Sequence, residues 1–187
     1  MTTSCRGGGS LRSHRAPCLI LLFLQLVGFL PPSSLSAHMV ALGTEELTRR
    51  SELVLEGTVE ETGSMWSRDG KTIVTRATVL VRGVIRGAPV QARVVVEHEG
   101  GEVGRLGLAV SDVAQMAKGE HVILFLREGE SPAGGTVFRT VGKAQGKYTV
   151  GKDGMARKQG VSVGAEREAV DAEIPVDVLI EKIKSVR

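Results

Sequence analysis

The sequence predicts a small, mainly β domain: a closed or partly open antiparallel barrel, with a short helix before it and an amphipathic helix after it. Three observations predict this. Between residues 53 and 150, apolar residues alternate or come in short unbroken runs, the two signatures of strands. Glycines and Asp-Gly turns punctuate those runs. Helical periodicity is confined to the two ends of this region.

Residues 1–37 stand apart. Arg6, Arg12 and Arg15 lead into the apolar run Cys18–Leu30, then Pro31-Pro32, then small residues up to Ala37. Positive, apolar, helix-breaking and small, in that order, is the pattern of a secretory signal peptide. The apolar run is 13 residues, short of the roughly 20 that span a bilayer. Cleavage is expected between Ser36 and Ala41, and the membrane is met only through this segment before the cut. An uncleaved anchor is the competing reading, and the length disfavours it.

Removing the segment changes the chemistry. The chain carries 24 basic and 21 acidic residues, and the excess of three is Arg6, Arg12 and Arg15. The exported chain is therefore balanced at 21 of each, and its basic precursor says nothing about nucleic acid. Both cysteines, Cys5 and Cys18, leave too, so no disulfide or thiolate metal site is available. A nucleic-acid groove would need aromatic platforms and basic charge. The four aromatics beyond residue 40 (Trp66, Phe125, Phe138, Tyr148) do not supply it.

The elements follow in order. Thr44–Leu53 carries a cap residue, then acids, then bases, as a short helix opposing its own dipole would. Leu53–Val59 reads as a strand, Met65–Lys71 as a polar loop with an Asp-Gly turn, and Thr72–Arg82 as a long alternating strand. Gly83–Gly87 and Pro89 make a corner, and Val90–His98 a third strand. His121–Arg127 is continuously apolar, so it is a central strand. Thr136–Val141 and Lys147–Val150 are shorter strands separated by Gly142 and Gly146, and Lys152–Gly154 is a hairpin turn. The barrel domain is thus 38–155. Residues 156–173 read as a linker or mobile loop, and 174–187 as a helix with Val176, Leu179, Ile180 and Ile183 on one side. Such a stripe usually docks on its own core rather than on a partner.

The stretch Val94–Gly107 runs from a strand into four glycines. A phosphate loop would need a helix N-terminus directly after them, and Leu108–Asp112 is not convincing helix. Walker and Rossmann spacings are absent. The glycines are read as architecture, allowing a kink or the close approach of two backbones.

Other constellations are sparse. His98 and His121 stand at strand ends and would need further ligands, such as Glu97, Glu99 or Glu120, to hold a metal. Ser111 with Asp112 and either histidine lacks a nucleophile elbow and reads as a turn. Glu97 and Glu99 share a strand face as a glycosidase pair might, but are expected to be solvated charge. No catalytic residue, metal or cofactor is expected. Trp66, with Met65 and Arg68 beside it, is the candidate partner-binding group, because exposed Trp is a common interface hot spot. It serves equally well as a lid over one barrel end.

Four segments carry a resemblance: Ser51–Val59, Thr78–Gly87, Lys118–Leu126 and Gly142–Val150. Their short motifs resemble a family of uncharacterised secreted bacterial proteins. More distantly they are similar to the netrin-like domain of tissue inhibitors of metalloproteinases, across about residues 44–152. The resemblance implies a five-stranded barrel of the OB type. It does not imply protease inhibition, which in those inhibitors uses an N-terminal cysteine that the exported chain lacks. The expected function is a non-catalytic binding module, secreted or periplasmic, whose partner is an envelope or extracellular protein. The alternative is a secreted hydrolase or metal-dependent enzyme using His98 and His121.

Overall fold

The computed structural model describes residues 41–88, 91–159 and 170–187. The expected signal peptide lies outside them. Among the described residues no helix is long and apolar enough to cross a membrane.

Helix α1 (Thr44–Arg50) precedes the strands β1 (Leu53–Trp66), β2 (Ile73–Arg86), β3 (Arg93–Glu99), β4 (Gly101–Val103), β5 (Leu106–Leu108), β6 (His121–Glu130) and β7 (Thr136–Thr140). A 3-10 turn (Lys143–Gly146) leads to β8 (Lys147–Val150), β9 (Met155–Lys158), β10 (Glu173–Pro175) and helix α2 (Val176–Ser185). Strands β1, β2, β3, β7 and β6 pair in that order, and β6 pairs back to β1, making a ring of five. All of these pairings are antiparallel except β3 with β7, which meet in parallel at Val96 and Phe138. Strands β8, β9 and β10 extend the same sheet away from the ring.

Strand β6 explains both halves. One of its edges pairs with β1 along His121–Leu126, from Leu53–Leu126 to Thr58–His121. The other edge is shared: its first half pairs with β8 and its second half with β7. The chain between β7 and β8 swings out as the 3-10 turn over a single β6 position, where the Val141 amide donates to the Phe125 carbonyl. Gly142 starts that excursion with φ 68°, and a side chain there would run into Leu42 and Leu47.

The alternation of β1 and β6 feeds two cores. Leu53, Leu55 and Val59, with Val122, Leu124 and Leu126, pack inside the ring with Ala77, Val79, Val94 and Val96. Val54, Ile123 and Phe125 point the other way and pack with Leu47, Tyr148, Ala156, Ile174, Leu179 and Ile183. Burial on both faces is why the run Val122–Leu126 is unbroken. Each fully buried aliphatic or Phe side chain contributes about 1.5–3 kcal/mol. Helix α2 sinks Leu179 and Ile183 completely, so its stripe is spent on its own domain.

Several boundaries move from those expected. Strand β1 continues to Trp66, and β2 continues to Arg86 through the expected corner, because the two form one long hairpin ending at Trp66 and Ile73. The polar loop shrinks to residues between these strands. The expected linker at 156–173 begins inside β9 and ends at β10, which pair through Ala156 and Ile174. Residues 160–169 lie outside the described ones. Thr44 does not cap its helix. The N-cap is Gly43, and the Thr44 hydroxyl lies 3.1 Å from the Tyr148 hydroxyl.

Buried Lys158 ties the second core to the segment ahead of α1. Its Nζ donates to the carbonyls of Leu42 (2.6 Å) and Val170 (2.7 Å) and stands 5.2 Å from the Tyr148 ring centroid. Burial is the largest influence on this ammonium and pushes its pKa down to about 8. In that case the unfolded chain binds the proton more strongly, so stability rises with pH between about 8 and the ordinary lysine value. Chemical denaturation of wild type and Lys158→Met from pH 7 to pH 10 tests this. Wild type is expected to gain on the variant above pH 8; parallel curves refute it.

Candidate functional site

At the Trp66 end of the β1–β2 hairpin, β3 runs out and the chain turns back as the small β4–β5 hairpin. The turn needs glycine. Gly100 and Gly101 have φ of 93° and 128°. The Gly100 amide donates to the Ile73 carbonyl, and the Thr75 hydroxyl donates to the Gly100 carbonyl at 2.7 Å. Ser64 Oγ lies 2.8 Å from Thr75 Oγ1 and accepts from the Glu102 amide at 3.3 Å. A side chain on Gly101 would fall on these two hydroxyls. The glycine-rich stretch therefore seats a hairpin on β1 and β2 by close backbone approach.

Between this hairpin and the segment that returns to β6 lies a cleft of about 520 Å³. Its lining includes Thr75, His98, Glu99, Glu102, Leu108 and Met116. A smaller recess of about 170 Å³ shares His98 and Glu99 and adds Arg139 and Lys143. Trp66, Leu106 and Leu108 are exposed large apolar residues, at 40%, 61% and 37%. All three belong to elements at this end.

Two buried charges, Glu97 and Lys147, brace the surroundings. Glu97, buried on the outer face of the ring, pairs with Arg76 (3.1 Å) and Arg139 (3.2 Å) and accepts from the Ser131 hydroxyl. Arg76 and Arg139 also donate to the carbonyls of Gly134 and Glu130, so Glu97 anchors the β6–β7 turn. The Glu97–Glu99 pair expected to be solvated is thus split: Glu97 is buried and Glu99 is exposed. On the return segment, Lys147 Nζ sits 2.7 Å from Glu120 and donates to the Gln115 carbonyl. Burial works to raise the Glu120 carboxyl, but hydrogen bonds from Lys147, Thr149 and the Ala117 amide outweigh it and hold its pKa below the ordinary value.

The candidate residues fall as follows. Met65 and Trp66 are the last residues of β1, opposite Val74 and Ile73, rather than loop residues. Arg68 is in the following turn, its amide bonded to the Pro132 carbonyl and its guanidinium lying against Gly134. His98 lines the cleft. His121 does not; it stands on the outer face of the ring, 2.7 Å from Glu56. The two histidines sit on β3 and β6, which are separated by β7. Among the described residues no group of three or more His, Cys, Asp or Glu side chains is placed to hold a metal. Ser111 and Asp112 form an exposed turn, with the Asp112 carbonyl accepting from Ala144. Ser64, Thr75 and Glu102 escaped the sequence reading because long-range register alone brings them together. No protein-family model matches the chain, and no curated protein does.

Gly101→Ala should cost about 1–3 kcal/mol, since it combines a left-handed φ with collision on Ser64 and Thr75. Denaturant unfolding checks it, beside Gly104→Ala as a control with open space around it.

Proposed function

We propose that this chain is a non-catalytic binding module, exported to the envelope or exterior of a bacterial cell, that engages a protein through its Trp66 end. The observation that carries the reading is the cleft beneath the β4–β5 hairpin, with Leu108 in its lining and Trp66 and Leu106 exposed on elements at the same end of the domain. Aromatic and aliphatic side chains around a concave site are the usual material of recognition. The ring order β1-β2-β3-β7-β6, with its parallel β3–β7 contact, supports an OB-type barrel of the netrin-like kind. That fold is widely used for binding, which supports function by analogy only.

The enzyme alternative has less behind it. It needs His98 and His121 to converge with acids, and they stand on non-adjacent strands. Glu97 and Glu120, the carboxylates best placed to assist, are committed to Arg76, Arg139 and Lys147.

Capture of proteins from envelope and culture fractions by immobilised wild type and Trp66→Ala tests the reading. A specific protein retained by wild type should be lost by the variant, by about tenfold or more in affinity. Equal retention removes Trp66 from the site. Mass measurement of the exported chain should place its first residue between 37 and 42; an intact N-terminus would make it an anchored protein instead.

A further inference from the structure

Among the described residues, the polar side chains that line the larger cleft are mostly acceptors, with the Gln115 amide as the exception that also donates. His98 Nδ1 lies 2.9 Å from the Glu99 carbonyl. A carbonyl oxygen only accepts, so Nδ1 carries the hydrogen, and in the neutral ring Nε2 is left with its lone pair. Glu99 and Glu102 add two exposed carboxylates, and neither has an ion-pair partner among the described residues. The Thr75 hydroxyl has already given its hydrogen to Gly100. Beside these groups run the apolar surfaces of Leu108, Val113 and Met116. Of the cations in the smaller recess, Arg139 is engaged by Glu97 and the Glu130 carbonyl, which leaves Lys143.

A site with acceptors at one part and aliphatic walls at another matches a long side chain that is apolar along its stem and cationic at its tip. We propose that the cleft receives a lysine or arginine side chain of an extended polypeptide segment. The cation sits among Glu99, Glu102 and His98 Nε2, and the stem lies along Leu108 and Met116. This rests on the binding-module reading and names the partner's chemistry at the same site. A polypeptide rather than a free amine is indicated by the rim. Leu106 and Leu108 are exposed, and β5, which among the described residues pairs only with β4, offers neighbouring residues a free strand edge.

Calorimetric titration of the exported chain with five blocked peptides, acetyl-Ala-Leu-X-Leu-Ala-amide, tests the proposal, with X as Lys, Arg, norleucine, Gln or Glu. The Lys and Arg peptides should bind about tenfold or more tightly than the norleucine peptide, and the Glu peptide should bind weakest. In the double variant Glu99→Gln, Glu102→Gln, the preference for Lys over norleucine should fall to about threefold or less. These side chains are exposed and unpaired, so folding is expected to be unchanged, and thermal unfolding verifies it. Equal binding of the Lys and norleucine peptides overturns the cation preference while leaving a binding module in place. Equal affinity for n-butylamine and the Lys peptide overturns the polypeptide occupant. No binding by any peptide overturns the proposal, and the Trp66 capture experiment then decides the module reading on its own.

Discussion

The fold depends on burying a single strand, β6, on both faces. Val122, Leu124 and Leu126 fill the ring, while Ile123 and Phe125 fill the space under the two helices. One strand therefore belongs to two cores. Its partner edge is divided between β7, which closes the ring, and β8, which starts the extension. A change at Phe125 would be felt by the helices, and one at Leu124 by the ring, although the two are neighbours in the chain. Large-to-small changes at such sites commonly cost about 2–5 kcal/mol.

Charge is used inside this framework to place connections. Glu97 holds the β6–β7 turn through Arg76, Arg139 and Ser131, and Lys147 holds the return to β6 through Glu120 and the Gln115 carbonyl. Pairs of this sort add little net stability, because desolvation offsets attraction. Their value here is positional. They fix two connections near the cleft without adding apolar bulk, and they leave Glu99 and Glu102 without ion-pair partners among the described residues.

Much of the strand content was legible because period two and unbroken apolar runs report directly on burial. His121–Arg127 announced a central strand by composition alone. Strand ends were harder. Polar residues such as Glu61, Thr62 and Ser64 continue β1 because β2 pairs with them, not because they are buried, so no local signal marks them. The extension through β9 was hidden for a similar reason: Ala156 and Lys158 point inward, and a lysine in a core does not look like one in a sequence. At the candidate site, Trp66 and His98 stood out by residue type. Their companions did not. Thr75 and Gly101 are ordinary until the register brings Ser64 to meet them, and Glu97 looked solvated until Arg76 and Arg139 were seen on either side.

The Lys158 clamp and the Arg86 contact have a further consequence. Lys158 fastens Leu42, and the Arg86 guanidinium donates to the Val186 carbonyl beside the start of β1, where Arg86 pairs with Val54. Leu42 and Val186, near the two ends of the described domain, thus both lie on the helix-bearing side, whereas Trp66 is the far end of the 14-residue β1. At about 3.3 Å per residue that strand reaches up to roughly 40 Å. A tether or solid support joined beyond Val186 would hold the domain from the helix-bearing side and leave the cleft, near the Trp66 end, facing outward.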